Sequence, residues 1–344
     1  MPVVIERSRE AHDTVCGGFV GPDAIAMLRR LRIDPALLGA RPINRVRLIA
    51  GERVIEAPLP FNAVGLSRRT LDEALLAQAM REGATVERGI TIRHADPRDY
   101  RLHLSDETVL CGEALFLATG KHDVRGLARP QAALGTDPAL GLRTGLATTP
   151  ALAAALGGMI ERHLFRAGYA GLLLQEDGRT NLCLSVAQSR LTEAGGQPDR
   201  LIDALSREAP LLAERVSAAG ARDSWSSVAR IPYGWRQAEG KPNLYRLGDQ
   251  GAVIPSLVGD GIAIALSSAV HAVSDYFHDG PAAAGNWQRD FHRQTGRPIR
   301  TATALKAIAE TPMLASPMLS LLRLSPALVR WAATATRIGG RNLI

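Results

Sequence analysis

Apolar residues recur every three to four positions through SRRTLDEALLAQAMREGATV (67–86), which predicts the strongest helix of the chain, capped by Ser67 and stopped at Gly83. A second helix is predicted over GPDAIAMLRRL (21–31), with Pro22 in its first turn, where a missing N–H does no harm. PVVIE (2–6) is a short β-branched strand that ends in an acid, and RVRLIAGERVIEAPL (45–59) alternates about AGE as a hairpin. Short strands follow in TIRHA, YRLHLSD and TVLCGEALFLATG (108–120). HLFRAGYAGLLLQEDGRTNLCLSVAQS (163–189) reads as two long strands joined at the turn Glu176-Asp177-Gly178. Residues 197–220 are helical with Pro210 as a divider, 261–277 form an apolar helix, and the tail is helical. Strands and helices alternate at the two ends, with an antiparallel insert between. The pattern predicts an α/β unit interrupted by a second, sheet-based unit.

Composition narrows the class. The chain has 344 residues, 46% hydrophobic and 22% charged, as in a globular protein with a generous core. Its three cysteines, Cys16, Cys111 and Cys183, have no CxxC spacing, which points to a reducing cytoplasm and away from structural zinc. No apolar run reaches the roughly 18 residues of a membrane span. The formal net charge is +7, yet aromatics make up only 4% and do not interleave with a basic stripe, so nucleic acid is not an expected partner. Arg323, Arg330, Arg337 and Arg341 punctuate an apolar helix pattern in the tail. That helix packs its apolar face on the body, or lies on an anionic membrane surface as a peripheral contact.

The sharpest chemistry lies in YRLGDQGAVIPSLVGDGIAIALSSAV (245–270). Glycine is unfavourable in a helix by roughly 1 kcal/mol, so the pair Gly259 and Gly261 at the mouth of an apolar helix implies close approach by backbone. An acid directly after Gly248, Asp249, can accept hydrogen bonds from a polyol chain. The helix opening at Gly259-Asp260-Gly261-Ile262 offers free N–H groups and the positive end of a dipole to an electron-rich ring edge. A flavin has both parts: a ribityl chain and a ring edge that becomes negative on reduction.

At these residues the chain resembles FAD-dependent oxidoreductases of the p-hydroxybenzoate-hydroxylase-like fold, a group that includes the geranylgeranyl reductases. RLGDQGAVIPSLVGDGIAIAL, with Gly248, Asp249, Pro255, Gly259, Asp260, Gly261 and Ile262, is similar to their C-terminal flavin-binding motif. PVVIERS is similar to the second strand of their FAD-binding Rossmann unit, which implies that Glu6, with Arg7 beside it, meets the adenosine ribose. VCGGFVGPDA (15–24) is similar to the following loop in the reductase branch, which implies that Cys16, Gly17 and Gly18 lie near the ring. LFLATGKHDVR (115–125) is similar to the strand leading into the family's mid-chain motif, where Thr119 and Gly120 fall.

There are two departures. The family's chains begin with a strand and a GxGxxG turn for the pyrophosphate, whereas this sequence starts at the second strand. The expectation is that roughly thirty residues precede it and that Met1 is an internal methionine or a misassigned start. Thr119 also replaces an aspartate that the hydroxylases associate with NADPH.

The resemblance implies a Rossmann-like FAD-binding domain over 1–40, 67–135 and 241–280. A mostly antiparallel substrate domain would span 41–66 and 136–240, and a helical C-terminal region 281–344. FAD is the expected cofactor, and NAD(P)H or an electron-donor protein the candidate reductant. The implied function is an oxidoreductase acting on a small apolar substrate by reducing a carbon–carbon double bond. The alternatives are a monooxygenase that hydroxylates an aromatic or polyketide ring, and a non-catalytic remnant that binds a lipid or membrane surface. Tyr169, Tyr233 and Trp235 are candidate substrate-cavity residues, and each reads equally as sheet packing. Cys16 reads as a buried inert thiol as readily as a ring neighbour. His12-Asp13 and His122-Asp123 lack further ligands in register, so no metal is expected.

Overall fold

The computed structural model describes residues 1–338. In chain order the elements are β1 (Val3–Glu6), β2 (Phe19–Val20), α1 (Pro22–Arg30), β3 (Arg41–Ala50), β4 (Arg53–Gly65), α2 (Arg68–Arg81), β5 (Thr85–Arg88), β6 (Ile92–Ala95), β7 (Leu102–Leu104), β8 (Val109–Leu110) and β9 (Leu115–Leu117). The middle of the chain supplies β10 (Ala139–Ala147), α3 (Pro150–Leu156), β11 (Met159–Phe165), β12 (Gly168–Leu174), β13 (Arg179–Ala187), α4 (Gln188–Glu193), α5 (Pro198–Leu205), α6 (Pro210–Ser217) and β14 (Ser226–Ile231). The chain continues with β15 (Leu244–Arg246), α7 (Gly261–Asp279), α8 (Ala284–Ala309), α9 (Pro312–Leu324) and α10 (Pro326–Ala335).

Eight strands form one sheet in the order β14-β10-β13-β12-β11-β3-β4-β2, antiparallel except where β11 runs beside β3. Because side chains alternate faces along each strand, the sheet has two distinct sides. One side packs Leu142, Leu172, Leu182 and Leu184 on Leu152, Leu156, Leu201, Leu205 and Leu212 of α3, α5 and α6. Burial of this kind contributes about 1.5–3 kcal/mol per large side chain. The other side carries Tyr169, Gly171 and Cys183 and faces the loop that contains Cys16, whose carbonyl accepts from Asn181 Nδ2 at 3.0 Å.

The strands on either side of this sheet's sequence do not join it. β1 pairs in parallel with β5 from Val3↔Thr85 to Glu6↔Arg88, and β9 pairs in parallel with β15 from Leu115↔Leu244 to Leu117↔Arg246. Each pair is a sheet of its own, and β6-β7-β8 make a third small sheet. α7 and α8 cover β15 through Tyr245, Ile264, Trp287 and Phe291, with Phe116 stacked on Tyr245 at 4.6 Å. The fold class is therefore the expected mixed α/β arrangement with a large antiparallel sheet and a helical C-terminal region.

Ser67 caps α2 as anticipated: its hydroxyl accepts from Thr70 N at 3.1 Å, while its own N–H donates to Glu176 at 2.9 Å, tying the helix to the β12–β13 turn. Three local expectations need correction. Residues 163–189 contain a second turn, Arg166-Ala167, with Ala167 at φ 56°, so 163–165 finish β11 rather than opening a long strand. An Arg-Ala pair carries none of the Asn-Gly signal that marks such turns. Residues 108–120 split between two sheets, β8 and β9. The tail is two helices bent by 115° at Ser325, because Pro326 cannot continue α9; Arg337 lies past the end of α10 and Arg341 outside the described residues.

Candidate functional site

β15 runs alongside β9 and delivers Gly248 at φ 52°, a conformation that favours glycine. Its N–H donates to Ser268 Oγ on α7 at 2.9 Å, and a Cβ here would lie 3.2 Å from that of Ala265. Gln250 Nε2 donates to the carbonyls of Gly120 (2.9 Å) and His122 (2.8 Å), and Thr119 Oγ1 donates to His122 O at 2.7 Å. These bonds lace the Gly248-Asp249 turn to the Thr119-Gly120 turn at the ends of two adjacent parallel strands. Arg7, just past β1, lies within electrostatic reach of His122, whose pKa is lowered by burial and then by the charges of Arg7, Lys121 and Arg129. Glu6 closes β1 and accepts from Ser8 N at 2.7 Å.

Asp249 is not free. Lys121 Nζ lies 3.0 Å from its carboxylate, and that attraction is the main reason the Lys121 pKa is raised despite burial. Arg129 holds the same turn from the other side, donating to Asp249 O at 3.0 Å and to Asp123 at 2.8 Å. A polyol hydroxyl reaching Asp249 would therefore join an existing ion pair.

The second glycine pair behaves as its sequence requires. Pro255 leads into a short turn, and Gly259 follows at φ 77°, so close to Phe19 that a Cβ would sit 2.8 Å from the ring. α7 then starts at Gly261. Its first intrahelical bond is Ile264 N to Asp260 O at 3.0 Å, and the amides of Gly261, Ile262 and Ala263 have no partner among the described residues. A Cβ on Gly261 would meet nothing within 4 Å. Three bare amides at the positive end of a 19-residue helix, with open space beside Gly261, suit an electron-rich ring edge. The Asp260 side chain takes no part in this opening: it is buried, accepts from Ile338 N at 3.3 Å and lies 3.7 Å from Arg337. Burial is the main cause of its pKa being raised to about 6.

The two candidate tyrosines come together on this segment. Tyr169 OH from β12 and Tyr233 OH from beyond β14 lie 2.5 and 2.8 Å from Ser256 Oγ, directly after Pro255. Trp235 instead sits beneath Arg129, 5.8 Å from ring centre to guanidinium, within the cluster of Val228, Ile231 and Val253. Gly18, at φ 70°, accepts from Leu66 N at 2.9 Å and is overhung by Gln175, 2.8 Å from a notional Cβ. Gly17 looks towards Arg162, 4.0 Å from a notional Cβ to Nη1. Cys16 lies within electrostatic reach of Lys121 and Arg162, and burial pushes the neighbouring Cys183 thiol up to about 12. Beside Tyr233, a cleft of about 390 Å³ is lined by Ile231, Lys306 and Glu310; another, of about 290 Å³, runs past Lys121 and Arg129. Among the described residues no cluster of His, Cys, Asp and Glu could hold a metal.

Sequence reasoning missed Lys121, Ser256 and Arg162. A signal existed for the last of these: MIERHLF sets three ionisable residues inside a strand whose every position is buried. The flavin end of the expected cofactor fits what is present: bare amides, open space above Gly261, and glycines where a side chain would intrude. A GxGxxG turn does not occur in the sequence.

Parallel strand pairs ending in glycine turns, a helix with an unpaired first turn and a broad antiparallel sheet facing it give this chain the fold of FAD-dependent monooxygenases. The likeness is to particular solved structures. PqsL of Pseudomonas aeruginosa, described as a probable FAD-dependent monooxygenase, superposes with a TM-score of 0.67 at 15% identity over 92% of each chain. A triple mutant of the flavin-dependent brominase Bmp2 gives 0.71 at 12% identity, over 99% of this chain and 89% of that one. The flavin-dependent halogenase CmlS gives 0.68 at 17% identity over 90% of this chain and 61% of its own. No protein-family model matches the chain, and no curated protein matches it.

Proposed function

We propose that the protein is an FAD-dependent oxidoreductase that acts as a monooxygenase on a small organic substrate. The observation that carries this reading is the convergence on one segment of three unpaired helix amides, at Gly261–Ala263, and of two phenols on Ser256. When bound, FAD would supply the redox chemistry, passing electrons to oxygen and inserting one oxygen atom into the substrate. The amides would stabilise negative charge at the ring edge, and the Asp249–Lys121 pair would hold the polyol chain. Tyr169, Tyr233 and Ser256 form a hydrogen-bonded chain that can orient a substrate hydroxyl or carbonyl and pass a proton along it. Burial raises the Tyr169 pKa well above the ordinary value, so its phenol is a neutral donor at pH 7.

Reduction of a carbon–carbon double bond, the geranylgeranyl-reductase-like alternative, rests on the Cys16-Gly17-Gly18 loop and Thr119. The fold likeness to monooxygenases and halogenases, and one of those neighbours having been solved with 2-aminobenzoylacetate, favour oxygenation. Titration with FAD is expected to quench flavin fluorescence and give a bound-flavin spectrum. Gly261→Val, whose Cβ would meet nothing within 4 Å and whose methyls would intrude on the space beside the amides, should weaken uptake about 30-fold with little change in melting temperature. Oxygen uptake matched to product then supports hydroxylation. Anaerobic reoxidation of the reduced protein by an unsaturated substrate supports reduction, and absence of flavin uptake removes both. NAD(P)H and an electron-transfer protein are separated by which of them reduces the flavin under nitrogen.

No single described helix is long and apolar enough to cross a membrane. Peripheral contact is carried by α9 and α10, where Met313, Leu314, Leu321, Leu324 and Trp331 are exposed beside Arg323 and Arg330. Sedimentation with phosphatidylglycerol vesicles, lost in Leu324→Asp with Trp331→Asp, tests that contact; equal sedimentation of both proteins excludes it.

A further inference from the structure

Arg162 stands in the middle of β11 and is only 6% exposed. Across the sheet it faces Leu48 on β3 and Gly171 on β12, and Gly171 in turn faces Cys183 on β13. The guanidinium lies over Gly171: a Cβ there would fall 1.9 Å from Nη1, so only glycine lets the side chain take this path. Further along the same row, Arg143 is almost as buried at 8%, but it is fully engaged by Asp13 at 2.8 Å and Asn181 at 2.9 Å. Arg129 and Arg190, at 7% and 5%, are likewise paired, with Asp123 and Glu208. The Arg162 guanidinium has neither a hydrogen bond nor an ion pair among the described residues. The largest electrostatic influences on it besides burial come from Tyr169, Cys183, Cys16 and Tyr233, none of them a carboxylate. Lys121, another cation near Cys16, is already taken by Asp249.

A buried guanidinium without a counter-charge is unfavourable, and its planar fork matches a carboxylate in two parallel hydrogen bonds. Its Nη1 lies between Gly171 and Gly17, so the guanidinium occupies the space between β12 and the Cys16-Gly17 loop, with Tyr169 and Tyr233 in electrostatic reach. We propose that the substrate is an organic acid whose carboxylate docks on Arg162. This rests on the reading of that space as the substrate side of a flavin site, and it replaces the expectation of a wholly apolar substrate. Arg162 would set the direction in which the rest of the molecule extends, towards the Tyr169–Ser256–Tyr233 chain.

The test compares ligands that differ in charge alone: benzoate with benzamide, and 2-naphthoate with 2-naphthamide. Binding is read on the full chain by calorimetry and thermal shift, without reference to flavin. The acids are expected to bind about 30-fold more tightly than their amides. Arg162→Met should abolish that preference and Gly171→Ala, which displaces the guanidinium while keeping it, should reduce it. If Arg162→Met does not fold, the unaltered protein and Gly171→Ala still decide. Equal affinity for acid and amide, no binding of either acid, a preference that survives in Arg162→Met, or displacement of benzoate by equimolar chloride would each overturn the proposal. FAD uptake is measured on separate samples. Uptake without acid preference removes this inference alone; acid preference without uptake removes the flavin reading and leaves the acid site.

Discussion

Glu161→Gln is expected to lower unfolding stability by about 3–5 kcal/mol at pH 7. Glu161 is fully buried on the sheet side opposite the candidate site, where it binds Arg47, Arg215 at 3.2 Å and the imidazole Nε2–H of His163 at 3.2 Å. Burial by itself would raise its pKa, but hydrogen bonds from His163, Arg215 and Arg47 overcome that and hold it down to about 2. Burial keeps His163 neutral, and its Nδ1 has no partner. Because the folded pKa lies below the ordinary value of 4.5, the carboxylate's contribution is complete above pH 4.5 and is lost as pH falls towards about 2. A depression of that size is worth about 3 kcal/mol. Urea unfolding at pH 7 and pH 3 checks both statements. The unaltered protein should lose stability between the two and Glu161→Gln should lose much less; parallel losses would show that the network does not carry the acid sensitivity.

Gly65→Ala is the second large effect, expected at about 3 kcal/mol or more with poor soluble yield. Gly65 ends β4, and a Cβ would stand 2.2 Å from the carbonyl oxygen of Leu174 and 3.0 Å from Leu173. The nearer atom is backbone of β12, a strand held by β11 as far as Leu172 and by β13 through Leu174, so it can shift only by disturbing that ladder. The next residue, Leu66, donates to Gly18 O at 2.9 Å, so displacement of Gly65 would also move the Cys16–Gly18 loop. Gly261→Ala is the matched control, since the added methyl meets nothing within 4 Å. A thermal melt in which the two variants behaved alike would remove the close-approach explanation.

These two residues mark the boundary of what the sequence discloses. Ser67 as a cap, Pro210 as a divider, the close backbone approach at Gly259 and the bare opening of α7 all follow from rules that act within a few residues, and they were legible. So was the broad layout, because alternation and 3.6-residue periodicity survive in any context. The contacts that assemble the site are of another kind. Tyr169 and Ser256 are 87 residues apart, and Arg129 reaches Asp249 O across 120. Nothing in AGYAGLLL indicates which serine its tyrosine will meet. The isolation of Arg162 is more hidden still, since it is defined by the carboxylates that are not near it. The Arg166-Ala167 turn and the break at Ser325 were missed for a local reason. In the first, an ordinary alanine takes a left-handed conformation; in the second, the apolar spacing continues across a proline that ends the helix.

The β1·β5 and β9·β15 pairs have a consequence for how the molecule opens. Two-stranded sheets are marginal without support, whereas the eight-stranded sheet shields its inner amides on both flanks. Amide protons of Val4 and Phe116 should therefore exchange with deuterium well before those of Leu172 and Leu182. A molecule lodged across the ends of both pairs would slow the two together, coupling segments that share no ladder of their own.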